Sequence, residues 1–240
     1  MNRVVISETL RRHLTNPFFL AYVALIAIVA FGVSHFNRPG SMWPSMIALL
    51  AMITGAAPIG PEFSSGTLQI ILVKPVKRWV YLVSRVTGVV MAVSVGAIAG
   101  AVCELVGRAI WSDALAWETI GIAFANCIGD AILTVALLTL LGSLTRAYFN
   151  IAIYFGVQVT LSVMMAAGGM LRASRSTIGQ FLGEHMGIER ALFVVERNLF
   201  PEFPLGFDRD WMLTVLSNAA VALALACIAF RRREVPYGAE

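Results

Sequence analysis

Charge is scarce in this chain. Asp, Glu, Lys and Arg make up 13% of its 240 residues, against about 25% in an ordinary soluble domain. Too little charge is present to cover a water-exposed globule of this length. The three histidines, His13, His35 and His185, form no H-E-x-x-H or related ligand set, so no metal site is expected. No Ser-His or Cys-His arrangement suggests an intramembrane enzyme, and no catalytic residue is assigned. Cys103, Cys127 and Cys227 lack metal spacing and read as small apolar packing residues. No Gly-Lys pair occurs, so the phosphate loop G-x-x-x-x-G-K-[ST] is missing and the chain cannot hydrolyse ATP by that route. Period-two alternation, the mark of an outer-membrane barrel, is missing as well. No aromatic-basic patch supports nucleic-acid binding.

What is present is oil. Hydrophobic residues make up 58% of the chain, gathered in runs long enough to cross the ~30 Å core of a bilayer as helices. The runs predict an all-α integral membrane protein with six transmembrane helices. Their expected positions are Pro17–Phe36, Met42–Pro58, Tyr81–Val106, Trp117–Leu144, Ala147–Leu171 and Trp211–Phe230. Asn16-Pro17 opens the first with an N-cap and a proline at the first helical position. Trp43, Trp79, Trp111, Trp117 and Trp211 fall near span ends, where such rings favour the headgroup layer. The first run is too long for the 7–15-residue apolar core of a signal peptide.

Basic residues set the expected orientation. With both termini cytoplasmic, the inner side holds Arg3, Arg11, Arg12, Lys74, Lys77, Arg78, Arg85, Arg146 and Arg231 to Arg233. Most outer arginines belong to one long segment, 172–209, where five acids balance them and where the positive-inside rule weighs little. The net charge of +4 then resides mainly in inner-face arginines, which favour anionic membrane lipid. Residues 1–16 predict an interfacial elbow helix with Ile6, Leu10 and Leu14 on one face, either a simple anchor or an elbow that also borders a partner. Within segment 172–209, Ile178, Phe181, Leu182, Met186, Leu192, Val195 and Leu199 fall near helical spacing. They predict amphipathic external helices between spans five and six.

The charged exception in this oily chain is Gly60–Arg85, GPEFSSGTLQIILVKPVKRWVYLVSR. Thr67 offers an N-cap, Leu68–Val73 continues for under two turns, and Pro75 stops the helix. The expected product is a short surface helix between two spans, where a force would move both.

Glu62, Gly66-Thr67-Leu68, Pro75 and Arg78 follow the order E-x3-GTL…P-x2-R. That order resembles ABC transporter permeases of the type-2 exporter class. The layout is similar too: interfacial first helix, six spans, and a long outer segment before the last. The resemblance implies that loop 60–80 carries a coupling helix, in which Glu62, Gly66, Thr67, Leu68, Lys74, Pro75 and Arg78 meet a separate nucleotide-binding ATPase subunit. ATP and Mg would sit on that partner, with no cofactor on this chain, and a second permease copy or homologue would complete the transporter. It implies export, of a hydrophobic or lipid-like substrate given the apolar spans, across the cytoplasmic membrane of a prokaryote. The alternative is a non-transporting transmission module that uses the same coupling to act on a periplasmic or membrane partner.

Two carboxylates fall inside expected spans. Asp130 sits near the middle of the fourth, where a charge costs at least about 2.5–3.5 kcal/mol unless paired, protonated or hydrated. It is either a substrate, translocation or gating group or a structural residue hydrogen-bonded to Asn126, Thr134 or a Ser or Thr of a neighbouring span. Glu104 sits toward the outer end of the third span, a second gating candidate weighed against a cheap position near the interface. A carrier driven by protons through these two residues is the remaining alternative.

Overall fold

The computed structural model describes residues 1–36, 39–40, 42–56, 77–111, 113–145, 149–173, 194–196, 199–200, 203–204 and 206–232. Its main helices are α1 (Arg3–Leu14), α2 (Pro17–Val33), α3 (Trp43–Gly55), α4 (Arg78–Ile110), α5 (Trp117–Leu144), α6 (Phe149–Ala173) and α7 (Arg209–Arg232). No strand occurs among the described residues. The helix starts follow local chemistry: the Asn2 and Asn16 side chains accept from Val4 and Phe18 N–H, and Pro17 occupies the first turn of α2.

Among the described residues, three helices, α4, α5 and α7, are long and apolar enough to cross a membrane, and α1 with α2 adds a fourth if that bent pair is one span. At 13 residues, α3 covers only about 20 Å at 1.5 Å per residue. It ends before Pro58, where the sequence places the end of that span. Helix α6 runs for 25 residues, about 37 Å at 1.5 Å per residue. Large apolar side chains point outward, among them Phe18, Ile28, Val102, Leu213 and Val221. Such a coat is stable against lipid and not against water.

The larger of two compact units comprises residues 1–151 and 203–240. Helix α4 is its spine, packing on α1, α2, α3, α5 and α7. Two glycines permit the closest approaches: a Cβ on Gly96 would stand 2.8 Å from Leu50 Cδ2, and one on Gly100 would stand 3.1 Å from the Trp43 ring. Helix α7 lies along α5, with Trp211, Val215, Ala219 and Ala222 against Leu133 and Ala136. Cys127 is inside the core, and Cys103 and Cys227 pack against it as free thiols. Residues 152–202 form the second unit. There the Tyr154 ring meets Phe200 edge-on at 5.1 Å. The expected external helices of 172–209 lie largely outside the described residues.

Tryptophan placement corrects one expectation. Trp79, Trp111 and Trp117 are exposed at helix ends, as headgroup anchors should be. Trp43 and Trp211 also stand at helix starts, yet both rings are buried. Position along a span does not reveal whether a ring faces lipid or protein.

Helix α1 is committed to α4 rather than to lipid alone. It meets α2 at 71°, and its buried residue is Thr9, with Val5, Leu10 and Leu14 packed against the core. Arg85 Nη1 donates to Thr9 Oγ1 at 2.9 Å, and Asn2 N–H donates to Ser84 Oγ at 2.8 Å. Gly88 makes the approach possible, since a Cβ there would stand 2.7 Å from Thr9 Cβ. Arg85, read from sequence as an inner-face charge, is therefore a buried tie between helices.

His13, at the end of α1, lies in the same contact. Burial, and then the Arg85 and Arg12 cations, hold its pKa below the usual 6.5. The unfolded chain therefore takes up this proton more readily than the folded one. Stability is complete above pH 6.5 and falls as pH drops below that value toward the lowered folded pKa. Replacing His13 with Phe should flatten the acid limb of a melting-temperature profile between pH 5 and 7, about the range where an imidazole titrates. An unchanged limb would assign the pH dependence to other groups.

Candidate functional site

Glu104 is at the centre of a closed cluster. It lies on α4 about 15 Å from the middle of that helix, at 1.5 Å per residue. It is 3% exposed, buried in protein rather than lying at a wet interface. Its Oε1 accepts from Gly40 N–H at 3.0 Å and from Arg108 Nε at 3.2 Å. Its Oε2 accepts from Trp43 Nε1 at 2.7 Å and shares the Gly40 N–H at 3.1 Å. Desolvation is offset by a cation, an indole N–H and a backbone N–H around one carboxylate.

Each partner is placed by its own local structure. Arg108 is one turn along α4, the spacing at which side chains on a helix meet. Trp43 opens α3, with Pro44 after it in the first turn. Gly40 has φ of +68°, a left-handed conformation that glycine adopts without penalty. A Cβ at this position would also stand 2.7 Å from Ala123 Cβ. The cluster therefore clamps the α2–α3 connection and the start of α3 to the far end of α4, with α5 pressed close behind.

Asp130 is in a different setting. It is the fourteenth residue of the 28-residue helix α5, half-buried, on the same stripe as Asn126 and Thr134. The sequence offered Asn126 as its partner, but the Asn126 amide donates instead to the Pro204 and Gly206 carbonyls at 3.1 and 3.2 Å. No hydrogen-bond partner of the Asp130 carboxylate lies among the described residues. Close by on α5, Gly129 accepts Trp211 and Met212 of α7 within van der Waals distance. Asn126 Oδ1 and Trp211 Nε1 are buried without partners among the described residues. Glu104 is thus fully engaged, whereas the Asp130 carboxylate, at mid-helix, has no partner among the described residues.

Of the coupling-loop residues, Arg78 alone is described, as the first residue of α4. Glu62, Gly66, Thr67, Leu68, Lys74 and Pro75 lie outside the described residues. The flanks of the loop are well fixed. Asn150, fully buried, donates to the Ala56 carbonyl at the end of α3 and to the Leu138 carbonyl of α5 at 3.0 and 3.2 Å. Gly55 contacts Val135 and Leu138 beside it. On the other flank, the first three turns of α4 hold α1 through Ser84, Arg85 and Gly88.

Sequence reasoning did not find Thr9, Gly40, Asn150 or the engagement of Trp43. One signal was available: Glu104 and Arg108 stand at i and i+4, the spacing of a helical ion pair. Gly40 sits in an Arg-Pro-Gly turn that gave no hint of a distant carboxylate.

Residues 41–235 match the model of a family described as ABC-2 family transporter protein. Among curated proteins nothing matches the chain.

Proposed function

The chain belongs to the family of ABC-2 transporter proteins, and we propose that it is the membrane-spanning permease subunit powered by a separate ATP-binding subunit. The family match carries this reading, because it spans 41–235 and so includes the whole 60–85 segment with its GTL…P-x2-R order. Multi-pass membrane character follows from the same match and from the apolar helices. The six spans, the cytoplasmic termini and the external helices are part of the proposal. So are the coupling helix, pairing with a second permease copy or homologue, and export across a prokaryotic cytoplasmic membrane.

The physical account is a lever. ATP and Mg bind the partner, and closure of that partner pushes on Leu68–Val73. The push passes along two fixed routes. One enters α3 at Ala56 and reaches α5 through Asn150. The other enters α4 at Arg78 and carries α1 with it through Arg85 and Thr9. The Glu104 cluster holds α3 and α4 together at the opposite end. A force applied at the loop then tilts a joined pair instead of splaying it. Asp130, at mid-helix and with no carboxylate partner among the described residues, is the group proposed to meet a polar part of a substrate or a gating water.

Replacing Leu68–Val73 with polar residues should abolish co-purification with the ATP-binding subunit while membrane insertion survives. Undiminished association would remove the coupling-helix assignment.

A further inference from the structure

Helix α7 begins far along α5 rather than level with its start. Gly129 of α5 meets the first turn of α7, where a Cβ would stand 3.1 Å from Met212 Sδ and 3.4 Å from the Trp211 ring. Gly129 comes twelve residues after Trp117, the first residue of α5, hence about 18 Å along that helix. Asn126, which holds the Pro204 and Gly206 carbonyls, lies about 13.5 Å along it. Helix α5 has 28 residues, about 42 Å, which exceeds the ~30 Å hydrocarbon layer by about 12 Å. Even if that whole surplus projected on the Trp117 side, Asn126 and Gly129 would both lie inside the layer.

The stretch beside them is not built for lipid. Residues 203–204 and 206–208 are not helical, and Gly206, Phe207, Asp208, Arg209 and Asp210 are all exposed. A Cβ on Gly206 would meet nothing within 4 Å. Asp208 fixes the helix start here, its Oδ1 accepting from the Asp210 and Trp211 N–H groups. Three consecutive charges and non-helical backbone at this depth must face protein or water, because lipid offers them no hydrogen bond. On the same two helices, Asn126 Oδ1 and Trp211 Nε1 are buried without partners among the described residues; water satisfies such groups and lipid does not. We infer that the start of α7 faces a water-filled recess, open on the side of the membrane where α5 begins. Trp211 forms its floor: the ring is buried, and beyond it Val215, Ala219 and Ala222 close against Leu133 and Ala136. The recess ends within a turn of Asp130, the residue after Gly129, and a hydrophilic solute entering it meets Asp208, Arg209 and Asp210. It requires only that α5 cross the membrane; neither the coupling loop nor the orientation of the chain enters the inference.

The test is thiol labelling of the full chain in its membrane, with a membrane-impermeant sulfonated methanethiosulfonate applied to each face separately. Gly206→Cys and Phe207→Cys report on the recess, each read above the background of the three native thiols. Phe36→Cys marks the same membrane face, because Phe36 is exposed and its neighbour His35 meets Trp111 and Asp113 beside the start of α5. Leu216→Cys marks lipid: Leu216 is exposed and lies about 7.5 Å beyond Trp211 along α7. Gly206→Cys and Phe207→Cys should react from the face that labels Phe36→Cys, within about tenfold of its rate. Leu216→Cys should react about a hundredfold more slowly, because the reagent and the thiolate it attacks both need water. Gly206→Cys and Phe207→Cys both as inert as Leu216→Cys, with Phe36→Cys reactive, would overturn the recess and put lipid or protein in its place. Leu216→Cys as reactive as the rest would remove its floor and overturn it as well. Labelling of Phe36→Cys, Gly206→Cys and Phe207→Cys from the cytoplasmic face alone would support the recess and overturn the proposed orientation instead.

Discussion

Glu104→Ala is expected to lower the melting temperature of the detergent-solubilised chain by about 6–20 °C. The change removes one carboxylate and takes an acceptor from three donors, the Gly40 N–H, the Trp43 indole N–H and the buried Arg108 guanidinium. Breaking a buried pair by deleting one partner costs about 3–5 kcal/mol, because the surviving charge remains desolvated. In a domain of this size each kcal/mol corresponds to roughly 2–4 °C. Glu104→Gln should do less harm, since an amide oxygen still accepts from Trp43 and Gly40, although the amide NH2 cannot accept from Arg108. Removing both charges as Glu104→Met with Arg108→Met should also be milder than Glu104→Ala, since two apolar side chains leave no orphan ion. Thermal unfolding monitored by size-exclusion chromatography measures all three. Wild-type stability in the alanine variant would show that the carboxylate does not clamp α3 to α4.

Gly40→Val should approach the same loss by a different route. The backbone at φ +68° penalises a β-branched residue by roughly 1–2 kcal/mol or more. The new Cβ would also stand 2.7 Å from Ala123 Cβ, where neither atom sits on a flexible side chain. Overpacking of this kind adds typically about 1–3 kcal/mol. Gly40→Asn separates the two causes, because asparagine tolerates the left-handed region but brings the same Cβ. If Asn is nearly as harmful as Val, space dominates; if it is nearly harmless, the backbone conformation does. Since Gly40 and Glu104 serve one clamp, Gly40→Val with Glu104→Ala should cost clearly less than the two single losses together. Simple additivity would place them in independent contacts.

The helical membrane class was legible because it rests on sums over many residues, such as the low charge fraction and the long apolar runs. Helix starts such as Asn16-Pro17 were legible because capping is local. Glu104 was harder. Its exposure depends on where the turn after α2 brings Gly40 and Trp43, residues more than sixty positions away in sequence. Thr9 was missed for a similar reason. The apolar stripe of α1 suggested lipid, whereas the decisive partner was Arg85 on another helix, with room made by Gly88. Asp130 was singled out by its depth, and one of its candidate partners, Asn126, is occupied by carbonyls preceding α7. Periodicity locates a residue on a face; it does not say which element covers that face.

The proposed coupling requires that a separate nucleotide-binding subunit drive this chain. The most direct measurement is purification of the full chain, tagged at one terminus, from its native membrane, followed by assay of ATP hydrolysis. The expected result is a second polypeptide with a phosphate loop, hydrolysing ATP and lost when Leu68–Val73 is made polar. A chain that purifies without any nucleotide-binding partner, and whose transport continues after ATP depletion, would contradict it.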